Sequence, residues 1–173
     1  MRTYNQNSWG DVTTDAGALL NANFVSVYGS SVVVGGMFTM TFTSASDVFS
    51  YLPALGTAGV LTGSLQNPPI SSAGEFGGEV LALRLNVDFS AADLLASSSS
   101  LSDLRFCDFA ALPSLDGQTV DQFLATANAI LGGGSGPFGA TTAAGVARLV
   151  NNSFVDAEPS SFAQAVLVSG ACP

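Results

Sequence analysis

The chain of 173 residues contains no histidine and no lysine, and its only cations are four arginines. Without histidine there is no imidazole to move protons near neutral pH or to bind a transition metal. Without lysine there is no amine for a Schiff base and no lysine for a phosphate-binding P-loop. A serine nucleophile would lack its usual base, because the Ser-His-Asp triad and the Ser-Lys dyad each need a missing residue. These absences predict a protein that is not an enzyme.

Charge is scarce as well. Charged residues make up 10% of the chain, against about 25% in an ordinary soluble protein. Thirteen of them are acidic, which leaves a net charge of −9. This negative charge argues against nucleic acid and anionic membrane surfaces as partners. The low charge density permits two interpretations: an extracellular domain with a neutral surface, or a subunit that packs against copies of itself.

Long apolar runs are also missing. The sequence has no uncharged apolar stretch of about 18 residues, so it predicts no membrane span. Residues 1–7 are mostly polar and lack the apolar core of a signal peptide. The composition nevertheless resembles that of an extracellular protein. We therefore interpret the sequence as a mature secreted chain that carries an added start methionine.

The chain has two cysteines, Cys107 and Cys172, and the second is the penultimate residue. A disulfide bond between them would attach the C-terminus to the middle of the chain and would stabilise the fold by about 4 kcal/mol in the chain-entropy model. The alternative is a pair of reduced, buried thiols. We favour the disulfide, because a cysteine so near a chain end is seldom buried without a partner. Two cysteines without histidine cannot supply a structural zinc site.

Hydrophobic periodicity predicts an α+β fold, in which several amphipathic helices surround one core beside a small β-hairpin at about residues 32–42. In the hairpin, two β-prone runs flank a Gly-Gly pair, which indicates a two-residue turn. Thr119 and Gln122 have the spacing of a capping box before a clear apolar stripe. No internal repeat or second core is evident, so residues 1–173 are expected to form a single domain. Further helices are expected at residues 11–29 and 44–52. Another is expected from about residue 142, with Val146, Leu149, Val150 and Phe154 on one face. A loop is expected at Ser97–Ser100, and residues 162–168 are expected to form a strand or a helical turn.

Residues 72–89 show two conflicting patterns. Ser72 and Glu75 have the spacing of a capping box, and the apolar residues that follow keep helical spacing. Apolar residues between Leu81 and Phe89 also alternate with smaller or polar ones, as they do in a strand. We favour a central, mostly buried helix, because the segment is long for a strand.

The residues best suited to contact a ligand or a partner are aromatic or contain sulfur. Tyrosine and tryptophan can stack on sugar rings or form hydrogen bonds at an interface. Trp9 is the only tryptophan and lies among polar residues, although packing at the edge of the core is the alternative for it. Two methionines belong to the predicted hairpin, whose strand edges could pair between subunits. The candidate contacts are Tyr4, Trp9, Tyr28, Tyr51, Met37 and Met40.

Carboxylates are the remaining source of chemistry. Glu75 and Glu79 lie one turn apart if their segment is helical, and Asp108 and Asp116 share an irregular segment. Two acids that face a sugar across a cleft can hydrolyse it, but thirteen acids will produce such pairs by chance. We interpret them as solvated surface charge, and we expect no cofactor and no metal site. Calcium is the one metal that the composition leaves open, because scattered aspartates offer oxygen ligands without the spacing of an EF-hand.

Several short motifs resemble a domain found in large secreted surface proteins of bacteria. They are spread over most of the chain and consist of caps, turns and core positions. The resemblance implies a location outside the cell or on its surface and a non-catalytic role, and it carries over no catalytic residue. The motifs are Tyr4–Gly10, Gly17–Leu20 with Phe24, Phe42–Val48, Leu81–Val87 and Leu115–Val120.

These observations lead to two hypotheses about function. The first is an extracellular structural subunit that self-associates into a filament or a surface layer, as a homo-oligomer or polymer. Scarce charge and missing lysines motivate it. The alternative is a non-catalytic binding module of a larger secreted surface protein, which recognises a glycan or another surface protein through Trp9 and the tyrosines.

Overall fold

The computed structural model describes residues 1–96 and 100–173, so the loop predicted at Ser97–Ser100 falls mainly outside the described residues. The α+β class is confirmed: helices enclose a hydrophobic cluster, and the strands form two small sheets. The helices are α1 (Gln6–Trp9), α2 (Asp15–Tyr28), α3 (Ala45–Tyr51), α4 (Glu75–Ala91), α5 (Val120–Leu131), α6 (Ala140–Asn151) and α7 (Ser161–Val166), and the strands are β1 (Val32–Gly35), β2 (Thr39–Phe42), β3 (Leu65–Gln66), β4 (Arg105–Phe106) and β5 (Leu167–Val168).

Helix α4 lies at the centre of the fold and packs against α1, α5 and α6. Thirteen of its seventeen residues are buried. Because apolar residues surround this helix on all sides, its sequence fits a helical and an alternating pattern equally well. The prediction of a buried helix is confirmed.

The capping box predicted before α4 is wrong. The helix begins after Gly74, whose φ of +54° suits glycine, and no side chain caps it. Ser72 instead bonds the preceding loop: its hydroxyl accepts from the Thr62 N–H and donates to the carbonyl of Val60. This serine therefore shapes the segment that leads into the helix.

Other helix boundaries follow local capping chemistry. Thr14 caps α2, Ser44 caps α3, and the Thr119–Gln122 capping box at the start of α5 is present in both directions. Helix α6 begins at Ala140, slightly before the predicted start. The prediction that Leu149 and Phe154 lie on the apolar face of α6 is wrong. Leu149 is 40% exposed, and Phe154 lies beyond the end of the helix.

The predicted hairpin is present, with a different turn. Strand β1 pairs antiparallel with β2 from Val32–Phe42 to Gly35–Thr39, so three residues connect the strands where two were predicted. The short strand β3 adds to β2 in parallel and completes a sheet of order β1-β2-β3. One face of the hairpin, with Val34 and Met40, is buried in the core.

The C-terminal segment is attached to the middle of the chain. Strand β5 pairs antiparallel with β4, and α7 precedes it, so the predicted strand and helical turn both occur. The predicted disulfide is also present: Cys107 and Cys172 are bonded across a sequence separation of 65 residues. Two independent links therefore hold the last residues of the chain.

Candidate functional site

Three of the predicted contact residues are buried and cannot meet a ligand. Trp9 and Met40 have no exposed surface, and Tyr51 is 2% exposed. The indole N–H of Trp9 donates to the Oδ1 of Asn86 at 3.2 Å, and the Tyr51 hydroxyl bonds the hydroxyl of Ser71 at 2.9 Å. Each aromatic thus satisfies its polar atom inside the fold. The prediction that these three contact a partner is wrong.

The other predicted contacts do not form one groove either. Tyr4 and Tyr28 are partly buried and belong to an internal row of rings, in which Tyr4 packs on Trp9, and Tyr28 packs on Phe89. Trp9 and Phe89 are edge-to-face at 5.1 Å and connect the two ends of this row. Met37, at the hairpin turn, is 75% exposed. The aromatic residues therefore pack in or against the core, and Met37 is the one candidate of the six that is mostly exposed.

The candidate site residues that the sequence did not reveal surround a buried carboxylate. Glu79, on α4, is 4% exposed. Its Oε1 accepts from Gln6 Nε2 at 2.8 Å and from Arg148 Nε at 3.0 Å, and its Oε2 accepts from Asn151 Nδ2 at 2.9 Å. The interpretation of Glu79 as solvated surface charge is wrong. Three elements, α1, α4 and α6, meet at this side chain.

The second acid of the pair lies nearer the surface. Glu75 is one turn before Glu79, and its Oε2 accepts from the Nη2 of Arg148 at 2.6 Å. Its side chain is 36% exposed, and that of Arg148 is 49% exposed. The hydrogen bonds that Arg148 donates to Glu79 and Glu75 raise the pKa of its guanidinium above its ordinary value. One cation therefore joins two carboxylates and remains charged.

The backbone of α4 makes this arrangement possible. A Cβ at Gly78 would collide with the side-chain oxygen of Gln6, and a Cβ at Gly77 would collide with the hydroxyl of Tyr51. The missing side chain at Gly78 lets α1 approach α4 closely enough for Gln6 to reach Glu79, and the one at Gly77 makes room for Tyr51 of α3. The Gly77-Gly78 pair inside a helix was the available signal, because an interior glycine in a helix has a packing reason.

Above the buried carboxylate lies a pocket of about 280 Å³, which we call the polar pocket. Gln6 and Glu79 are its most deeply buried lining residues, and Glu75 and Arg148 also line it. The rest of its lining is polar on one side and apolar on the other. These residues are Asn5, Asn7 and Asn152 on the polar side and Pro53, Ala54, Leu55 and Gly56 on the other.

An apolar hollow of about 170 Å³ adjoins the polar pocket and shares its Pro53–Leu55 wall. Leu55 and Ile70 both line it and are 82% and 80% exposed, the highest values among the large apolar residues described. We call these two residues and the hollow between them the Leu55–Ile70 patch. A pair of aliphatic side chains so exposed has no partner within the described fold, which makes the patch a candidate contact surface.

A larger hollow lies elsewhere and offers less. It measures about 580 Å³ beside the disulfide and is lined by Arg105 and Thr119. Arg105 donates from Nη1 to the carbonyl of Gly117 at 2.6 Å. Most of its other walls are exposed residues of loops and of the C-terminal tail. A buried polar group that could orient a ligand is absent from the residues described around this hollow.

Neither a metal-binding cluster nor a membrane-spanning helix is found in the part of the chain that the structure describes. Among residues 1–96 and 100–173, no group of three or more histidine, cysteine, aspartate or glutamate side chains is placed to hold a metal ion. Within the same residues, no helix combines the length and the apolar character needed to cross a bilayer.

Comparison with known proteins gives no match: no family model, no curated protein and no solved structure is significantly similar to this chain. The resemblance to bacterial surface proteins therefore stays a prediction. The two surfaces described above must be interpreted from their own chemistry.

Proposed function

We propose that this chain is a non-catalytic extracellular structural subunit that self-associates through the Leu55–Ile70 patch. The observation that carries the proposal is the exposure of both aliphatic side chains, 82% and 80%, around one hollow. Burying them between two copies would remove apolar surface from water, which contributes about 25 cal/mol for each Å². The occupant that we propose for the patch is a second copy of this chain.

The distribution of charge supports a second copy as the partner. Asp47 is the only charged residue between Asp15 and Glu75. Seven of the ten large apolar residues that the structure shows exposed lie in the same stretch, among them Leu55 and Ile70. Two copies that each carry a charge of −9 repel one another. The stretch that contains the patch carries almost no charge, and the neighbouring Glu75, Glu79 and Arg148 of the polar pocket together add only −1, so two copies can meet there with little repulsion.

The hairpin is a less suitable contact than the sequence indicated. Strand β1 packs against α5, and the side-chain oxygen of Asn128 accepts from the Gly35 N–H at 2.7 Å, which occupies part of that edge. The opposite edge of the sheet is β3, only two residues long. Pairing of strand edges between subunits would therefore gain few hydrogen bonds. The Leu55–Ile70 patch offers an apolar contact without this restriction.

The disulfide supports the extracellular location. Disulfide bonds persist in oxidising environments such as the cell exterior and are rare where thiols are kept reduced. The Cys107–Cys172 bond is compatible with such a compartment.

The test measures the mass of the protein against concentration by sedimentation and light scattering. We expect the wild-type chain to associate, and Leu55→Ser/Ile70→Ser to weaken association at least tenfold. Val25→Ser is the matched control, because Val25 is 73% exposed on α2 and lies outside the patch. Added salt should strengthen association by screening the repulsion between copies, whereas it would weaken a contact made of ion pairs.

Three results would count against the proposal. The wild-type chain could remain a monomer at millimolar concentration in high salt. Val25→Ser could weaken association as much as the patch variant does. Met37→Ser could abolish association while the patch variant leaves it intact, which would place the contact at the hairpin turn.

A further inference from the structure

We propose that the polar pocket binds one neutral sugar ring. The pocket adjoins the surface proposed for self-association and shares its Pro53–Leu55 wall, but the two proposals can fail separately. Leu55 borders both surfaces, so the variants that test the pocket are at Asn7 and Glu75, which do not line the apolar hollow.

The charge of the pocket favours a neutral ligand. Arg148 bonds both Glu75 and Glu79, so these three groups together carry a charge of −1. The chain as a whole carries −9, which repels anionic ligands. A cationic ligand would have to displace Arg148 from the carboxylate oxygens that the guanidinium holds at 2.6 Å and 3.0 Å, or pair with the remaining Oε1 of Glu75 beside a guanidinium that repels it. An uncharged polar ligand faces neither obstacle.

Unused hydrogen-bonding groups in the pocket are mixed in kind. Within the described residues, the Nη1 group of Arg148, the Oε1 of Glu75 and the amide of Asn7 make no hydrogen bond. The guanidinium can only donate, and the carboxylate can only accept. A hydroxyl group does both, so one hydroxyl can bridge the two. Two adjacent hydroxyl groups on a sugar ring can therefore hydrogen-bond to the guanidinium and to the carboxylate at the same time.

The walls of the pocket are held in place before any ligand arrives. Gln6 accepts from the Ala54 N–H at 3.0 Å while donating to Glu79. The side-chain oxygen of Asn5 accepts from the Ser8 N–H at 3.1 Å. Fixed polar groups lose little conformational entropy when a ligand binds. Pro53 and Leu55 add an apolar side, against which the C–H face of a sugar can pack.

The size of the pocket limits the ligand to a single ring. Its volume of about 280 Å³ equals that of roughly nine water molecules at about 30 Å³ each. It lies at or below the lower end of the range for ligand pockets, which begins at about 300 Å³. An isolated sugar ring that displaces ordered water in such a pocket binds weakly, and we expect a dissociation constant in the millimolar range.

The test is an NMR titration of the ¹⁵N-labelled chain with methyl glycosides of glucose, galactose, mannose and N-acetylglucosamine. We expect at least one of them to produce saturable shifts in the side-chain amide signals of Asn5 and Asn7. Asn7→Ala and Glu75→Gln should each weaken that binding at least fivefold. Asn21→Ala is the matched control, because Asn21 is an exposed asparagine on α2 and should leave the titration unchanged.

Two parallel titrations make the outcome decisive. Methyl glucuronide carries a negative charge, and butylammonium carries a positive charge without hydroxyl groups. Saturable shifts with either of these probes, and with none of the neutral glycosides, would overturn the proposal. The proposal would also be overturned if a neutral glycoside bound equally well to the wild type, Asn7→Ala and Glu75→Gln. This comparison requires that both variants unfold at the same denaturant concentration as the wild type. Because the variants leave the Leu55–Ile70 patch intact, self-association measured in the same samples reports separately on the proposed function.

Discussion

Burial controls the proton affinity of Asp88, although an arginine lies beside it. Arg84 Nε donates to Asp88 Oδ2 at 2.6 Å on the surface of α4, and the aspartate side chain is only 18% exposed. Loss of water raises the pKa of Asp88 above its ordinary value of 3.8, and nearby Asp121 adds to the rise, while Arg84 and Tyr28 oppose it. At pH values between 3.8 and this higher pKa, the folded protein therefore binds a proton at Asp88 more readily than the unfolded chain does.

This shift predicts the sign of a pH dependence. Between 3.8 and the higher pKa of Asp88 in the folded protein, the native state binds more protons, so the free energy of unfolding falls as pH rises. Each unit of separation between the two values contributes about 1.4 kcal/mol. We expect Asp88→Asn to remove this part of the profile. Urea unfolding measured from pH 3 to pH 7 checks it, and a variant whose profile stays parallel to the wild type would contradict it.

Asp11 is the control of opposite sign. Its carboxylate accepts from the backbone and the hydroxyl of Thr13, and these hydrogen bonds lower its pKa below 3.8. The stability that it contributes is present above pH 3.8 and is lost as pH falls through the pKa of the folded state. Asp11→Asn should therefore lower stability near pH 6 and leave it unchanged in strong acid.

At the scale of elements, two glycines in helices have opposite roles. Gly78 lies in α4 where α1 packs, and an added Cβ would collide with the side chain of Gln6. Gly145 lies in α6, where an added Cβ would meet no atom within 4 Å. The first glycine permits close packing. The second only increases the flexibility of the unfolded chain.

These glycines give a paired prediction. Gly78→Ala should lower the free energy of unfolding by about 1–3 kcal/mol through overpacking. Gly145→Ala should raise it by about 0.5–1 kcal/mol, because alanine is the better helix former. Urea unfolding followed by circular dichroism at 222 nm measures both. Equal effects of the two substitutions would show that α1 does not pack on α4 in this way.

Comparison of the elements also shows what the sequence could predict. The helices that could be located have one apolar face or a capping residue, as α5 has with Thr119. For α4 the sequence favoured a helix only by its length, because burial on every side removes the contrast between faces. The polar pocket could not be predicted, because Gln6, Glu79 and Arg148 are far apart in the sequence and meet only when three helices pack. A buried carboxylate and a solvated one look the same in a sequence.

At the scale of the whole molecule, the end of the chain depends on two links to its middle. Strand β5 pairs with β4 over only two residues. The Cys107–Cys172 bond adds a covalent link, and its Cα–Cα distance of 5.5 Å is ordinary for a disulfide. The last four residues are exposed. The covalent link therefore holds a segment that has little core of its own.

Removing the disulfide should destabilise the chain without changing its core. For a loop of 65 residues, the chain-entropy model gives a loss of about 4 kcal/mol in Cys172→Ser, and strain relief would reduce that value. We expect amide exchange to accelerate at Cys107, whose N–H donates to the carbonyl of Val166 at 2.8 Å beside the β4–β5 pair, while α4 stays protected. Dithiothreitol should reproduce these changes in the wild type and have no effect on the variant. Unchanged stability under reduction would instead mean that β-pairing alone holds the C-terminus, and it would remove the disulfide as an argument for an oxidising compartment.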